Sequence, residues 1–166
     1  VKNYIIGSNH DEALDRHINR FKPKEDPINA PLMWELSLKT VATGKPAFEC
    51  YAEDKIKVDC EYVNRDGGFM IAGIDISQHG DLGVNGARGS AGGLAKTSRK
   101  TFIGHSHSAR IVKGCYQVGV STRKPEYARG YSTWSICDGF IYTNGKRALI
   151  FYLGYKTIAD YFKRAV

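Results

Sequence analysis

Four of the five histidines fall in loops that each follow a run of β-forming residues. His10 lies in Ser8-Asn9-His10-Asp11, His79 in Gln78-His79-Gly80-Asp81, and His105 and His107 in Gly104-His105-Ser106-His107. Polar side chains at successive strand ends, with helix-patterned stretches between the strands, restrict the chain to a mixed α/β arrangement whose strand ends bear the chemistry. His17 differs: it sits among charged residues inside a helical pattern and reads as an ordinary surface position.

At 166 residues, 42% hydrophobic and 25% charged, the chain is long enough to bury a core and too apolar to be disordered. Its longest apolar run, Ala148 to Leu153, falls far short of the roughly 20 residues that cross a bilayer, so no membrane partner is expected. Cys50, Cys60, Cys115 and Cys137 include no pair at zinc-knuckle or thioredoxin-like spacing. They read as buried, reduced thiols of a cytoplasmic protein. Val1-Lys2-Asn3-Tyr4 is neither an initiator methionine nor a secretory signal, and a chain opening in mid-pattern is expected to be one piece of a longer polypeptide.

The pattern predicts a short strand ending at Ile6, a helix over Asp11–Phe21 and a second helix over Leu32–Val41 stopped by Gly44. From Phe48 to Gln78 the texture is β, with a hairpin turn at Asn64–Gly68 and one buried strand over Met70–Ile76. Six of the 18 glycines lie between Gly80 and Gly93, in a loop expected to cross close to something. A short helix around Leu94–Ser98 and a strand at Lys100–Gly104 come next. Strands at Arg110–Lys113, Tyr116–Val120, Trp134–Tyr142 and Arg147–Tyr152 follow, the last two joined at Asn144-Gly145. Lys156–Val166 has the spacing of an amphipathic helix.

His105 and His107 are the sharpest feature. Two imidazoles at i and i+2 after a strand can both reach ions at that strand's C-terminal edge, and Gly104 is expected to ease the turn. Two solvated loop histidines are the plainer alternative. Asn9 offers a carbonyl oxygen as a ligand, and His10 can serve as general acid with Asp11 orienting its ring. Asn9 also fits a simple helix cap. Together, an oxygen-and-nitrogen donor set at successive strand ends reads as a binuclear metal site.

Asn9-His10-Asp11, then His79, then Gly104-His105-Ser106-His107 resembles the later motifs of the calcineurin-like metallophosphoesterases, and most of all their phage-type and repair-type DNA nucleases. The resemblance spans residues 4 to about 153, and Gly-His-x-His is its most specific element. It implies an α/β fold, a β-sandwich flanked by helices, present here as its C-terminal portion over 1–154, with 155–166 as a terminal helix or the start of the next domain. It implies that Asn9, His79 and His105 hold one divalent metal and His107 a second. His10 would face the scissile phosphate, and a bridging hydroxide would be the nucleophile. Manganese is the favoured ion, with iron or zinc compatible. The family's first motifs, Asp-x-His and then Gly-Asp, belong before Asn9, where this chain has only eight residues. A companion N-terminal fragment or chain is therefore expected to supply the remaining ligands, and the chain alone is expected to be inactive.

The 24 basic and 17 acidic residues give a net charge of +7. Between Arg88 and Arg129 lie nine basic residues and one acid, Glu126, so this block alone is +8. It brackets the Gly-His-Ser-His segment; Tyr116 and Tyr127 lie within it and Tyr131 and Trp134 just beyond, a pattern suited to a nucleic-acid backbone and bases. Arg88 and Arg110 are the candidate phosphate contacts. A basic face for solubility is the plainer reading. The glycine-rich loop can turn backbone amides toward a phosphate, although no Gly-Lys-Ser/Thr closes it as a P-loop. The function expected is a metal-dependent phosphodiesterase, a DNA nuclease. A phosphomonoesterase or small-nucleotide phosphodiesterase on the same scaffold, and a non-catalytic nucleic-acid-binding module, are the alternatives.

Overall fold

Leu14, Ile18 and Phe21 recur at helical spacing, and they pack with Met33, Leu36 and Cys50 into the core of an N-terminal unit. The computed structural model describes residues 2–56, 59–65, 67–121 and 131–153. The chain divides into two units, Val1–Arg65 and Asp66–Val166.

In the first unit, β1 (Tyr4–Ile6) pairs in parallel with β2 (Glu61–Val63). Helices α1 (Asp11–Arg20), α2 (Ala30–Thr43) and α3 (Ala47–Tyr51) lie between them in sequence. α2 closes on Gly44, whose φ of 70° is the left-handed cap that glycine favours. α3 and the π-helical stretch Ala52–Ile56 replace the β texture expected from Phe48. Ala47 and Cys50 are buried one turn apart, and the Ala47 amide donates to Asp15 Oδ1 at 2.9 Å, so contact with α1 starts the helix. Where a hairpin is expected at Asn64–Gly68, β2 pairs among the described residues with β1: the Glu61 amide donates to Asn3 O, and the Gly7 amide to Val63 O. Asp66 lies outside the described residues.

The second unit holds a five-stranded sheet in the order β3-β4-β5-β7-β6. Its strands are β3 (Met70–Ile71), β4 (Ile74–Asp75), β5 (Thr101–Ile103), β6 (Arg110–Val112) and β7 (Cys115–Gln117). β4, β5 and β7 run parallel, and β3 and β6 are antiparallel edges. The single strand expected over Met70–Ile76 is instead a tight hairpin, since Ala72 and Gly73 both take positive φ, 49° and 76°. α4 (Ala91–Leu94) is capped by Ser90 Oγ, which accepts from the Gly93 amide. Ala91, Leu94, Ala95, Ile103 and Cys115 form the core here. β8 (Cys137–Ile141) and β9 (Arg147–Phe151) make a hairpin turned at Asn144-Gly145.

The described residues thus form a mixed α/β protein, and no helix among them is long and apolar enough to cross a membrane. None of the four cysteines is disulfide-bonded, and Cys50, Cys115 and Cys137 are buried. The helix expected over Lys156–Val166 lies outside the described residues.

Candidate metal centre at the ends of two parallel strands

β4 and β5 are neighbours and parallel, so the loops leaving them emerge at one edge of the sheet. The Gly104 amide donates to His79 O at 3.0 Å, locking the two loops together. Their side chains follow: His79 Nε2 and His105 Nδ1 stand 3.2 Å apart. That separation suits a hydrogen bond, and equally two imidazoles on one ion, where metal–nitrogen bonds of about 2.1 Å place adjacent ligand atoms about 3 Å apart.

The loop bearing the second pair member is held from several sides. Gln117 Nε2 donates to Ser108 O at 2.5 Å, the Ser135 amide to His107 O at 3.2 Å, and the Ala109 amide to Ser135 Oγ at 3.0 Å. His105 and His107 both adopt left-handed backbone, with φ of 65° and 61°. This corrects the role expected of Gly104. A Cβ at Gly104 would make only ordinary contacts, the nearest at 3.8 Å from His79 O. The histidines themselves turn the chain, at a cost of about 1 kcal/mol each relative to glycine. His107 turns its ring to Trp134, centroids 4.3 Å apart and edge-on.

Asn9, His10 and Asp11 belong to the first unit. His10 is exposed at the start of α1. The Oδ1 of Asn9 is buried and has no hydrogen-bond partner among the described residues, the condition of a carbonyl oxygen awaiting a ligand. The helix cap is Ser8, not Asn9. Ser8 Oγ accepts from the Asp11 amide at 3.2 Å, and Asp11 Oδ2 accepts from the Ser8 amide at 2.7 Å, a reciprocal capping box. Asp11 Oδ2 is thus engaged in starting α1. Asp15-Arg16-His17 has the spelling of an Asp-x-His motif but lies inside α1. Asp15 caps α3, and His17 is exposed with its ring against Phe21.

The two imidazoles of the second unit are donors of a kind that suits a divalent transition metal. Among the described residues, no three His, Cys, Asp or Glu side chains gather around one point. A metal ion held here would need donors beyond them.

The basic block is not one patch around the histidines. Arg110 starts β6 opposite Gln117, at the histidine end of the sheet. Arg88 neighbours Gly89, whose amide donates to Asp81 O beside Gly80. A Cβ on Gly80 would lie 3.3 Å from Gly104 O. Arg99, Lys100 and Lys113 lie instead at the opposite ends of β5 and β7. Arg123, Lys124, Tyr127 and Arg129 fall outside the described residues. Tyr116 is covered rather than free to stack, with the Arg147 guanidinium 4.2 Å from its ring centroid and Phe102 packed beside it. The amides of Gly83, Gly86, Ala87 and Gly89 are all spent inside the glycine-rich loop, so they offer a phosphate nothing.

The fold and site define a mixed α/β protein with paired histidines at the ends of adjacent parallel strands. No family model and no solved structure matches the chain. It is similar to Protein A1 of Escherichia phage T5, 35% identical over 158 residues that cover 88% of this chain and 28% of that protein. The chain thus spans less than a third of this phage relative's length.

Proposed function

We propose that the chain is the C-terminal part of a two-metal phosphodiesterase domain that cleaves DNA. The observation that supports this most is the 3.2 Å pairing of His79 with His105 at a loop where two histidines accept left-handed backbone. Glycine takes that backbone more readily than histidine, so the two imidazoles stand there against local preference, which supports a role in binding. Bound divalent ions, manganese by preference and iron or zinc by compatibility, would activate water and neutralise charge on the phosphate. His79 and His105 hold the first ion and His107 the second. Asn9 as a further ligand, and His10 as the proton donor to the leaving oxygen, enter through the family resemblance, with the orphaned Asn9 Oδ1 in support. Arg88 and Arg110, both exposed, draw the phosphate toward the histidine edge.

The test is cleavage of DNA by the longer polypeptide that contains this chain, with manganese added. Cleavage lost in His105→Ala and in His107→Ala is the expected result. Faster hydrolysis of a small phosphate ester than of DNA would favour the monoesterase alternative. The want of a third clustered ligand among the described residues favours a second reading, a module that binds nucleic acid without cutting it. Under that reading, DNA binding survives both substitutions and no cleavage is seen in the parent. The 166-residue chain by itself should not hydrolyse DNA with manganese; if it does, its own residues complete the site.

A further inference from the structure

The sheet edge opposite the histidines gathers basic residues from three separated stretches of sequence. The Thr101 amide donates to Gly114 O at 3.0 Å, and a Cβ at Gly114 would lie 3.0 Å from Arg99 O. The Arg99-Lys100 lead into β5 and the Lys113-Gly114 turn are therefore side by side. Arg147 joins the third stretch to them, its Nη1 donating to Gly114 O at 2.6 Å and to Thr101 O at 3.1 Å. Lys146 precedes it in the β8–β9 turn, which sits beside the β3–β4 turn: a Cβ on Gly145 would lie 3.1 Å from Ala72 O.

Arg99, Lys100, Lys113 and Lys146 are all exposed. None of these four forms an ion pair with an acid among the described residues, where the pairs seen lie in the first unit. The nearest acid along the sheet, Asp75, is buried, and its Oδ1 accepts from Ser77. Holding four like charges together without counter-ions costs folding free energy, and a polyanion that replaces their small counter-ions recovers it.

We propose that this edge is a second contact for the nucleic-acid backbone, distinct from the histidine edge and separated from it by the length of β5, about 10 Å. It rests on the reading of DNA as substrate and deepens it. A single phosphate group cannot contact both edges, whereas successive phosphates of a phosphodiester polymer can, so this surface favours polymers over phosphate monoesters. Lys113 holds its position with a φ of 49°, in the turn that places it beside Lys100.

The experiment measures binding of a fluorescein-labelled DNA duplex by the 166-residue chain across a salt series, in chelator, so that no metal contributes. The variant is the triple change Lys100→Glu, Lys113→Glu and Lys146→Glu, with Lys→Gln at the same positions as a milder companion. A control of equal charge change, Arg20→Glu with Lys22→Glu and Lys24→Glu, alters exposed residues of the first unit. Expected is at least tenfold weaker binding at low salt for the test triple, and a log–log salt slope shallower by about 0.9 for each phosphate no longer neutralised. The Gln variant should fall between parent and Glu variant. Parent-like binding by both test triples overturns the proposal. So does equal weakening by the control, or tighter binding to vesicles of anionic phospholipid than to DNA. Failure of DNA cleavage in the longer polypeptide, with this binding intact, would overturn the nuclease reading and leave the surface standing.

Discussion

The imidazole of His107 stands edge-on to the indole of Trp134, ring centroids 4.3 Å apart and planes at 89°. An ion at His107 therefore changes the immediate surroundings of one of the chain's two tryptophans. In a Trp34→Phe background, titration with manganese should change Trp134 emission, and His107→Ala should abolish that response. An unchanged response in His107→Ala would remove His107 from the metal site.

The left-handed backbone at residue 105 separates two substitutions that both remove the ligand. His105→Gly relieves the strain and His105→Ala keeps it, so the alanine variant should be less stable by about 1 kcal/mol. Urea unfolding of the two proteins checks this. Equal midpoints would mean that residue 105 is not held at positive φ in solution.

The Ser8–Asp11 capping box assigns both residues to the start of α1. Ser8→Ala and Asp11→Ala should each cost about 1 kcal/mol, with the double variant costing less than the sum because one device is removed twice. A denaturation cycle on the four proteins reads this directly.

Gly139 faces the ring of Phe102, and Gly119 faces the Ser135 carbonyl, each too close for a Cβ. Gly139→Ala should destabilise by about 1–3 kcal/mol, as overpacking does, and Phe102→Leu should recover part of that loss. Gly119→Ala meets backbone, so no single side-chain change should rescue it. Thermal melts of the single and paired variants make the comparison.

Burial, followed by the nearby Asp11 charge, pushes the Tyr62 phenol up from 10.0 to about 12. The folded state holds this proton more tightly than the unfolded state. Its contribution to stability is therefore complete below pH 10.0 and is lost as pH rises toward about 12. Burial also raises the Cys115 thiol from its ordinary 9.0, which acts in the same direction from pH 9.0 upward. Urea midpoints should fall as pH rises above 9.0, with a shallower fall for Tyr62→Phe above pH 10.0.

What could be read from sequence was what local chemistry decides. The Leu14–Ile18–Phe21 spacing and the Gly44 stop are complete within their own helices, whereas the cap expected of Asn9 is made by Ser8 and Asp11. The pairing of His79 and His105 was legible as strand-end placement because parallel neighbours share an edge. Features set by distant partners were not legible. α3 starts on a carboxylate 32 residues away, and the Ala72-Gly73 turn puts an alanine where local preference would not. Gln117 and Ser135, which anchor the histidine loop, are ordinary in sequence and matter only through what the fold sets beside them. Lys146 joined the basic edge for the same reason, through the reach of Arg147.

β7 lies between β5 and β6, although β6 comes before it in the chain. The β6–β7 hairpin closes over Lys113-Gly114 alone, while the β4–β5 and β5–β7 pairings must each bring separated stretches together. Short closures cost less entropy than long ones, so this hairpin and the equally short β3–β4 hairpin are expected to form before the β4–β5 and β5–β7 pairings. His79 and His105 follow β4 and β5, so they come together only once that long pairing has formed. An ion that used this pair would thus be captured late, by a sheet already assembled, rather than acting as a nucleus around which the chain collapses.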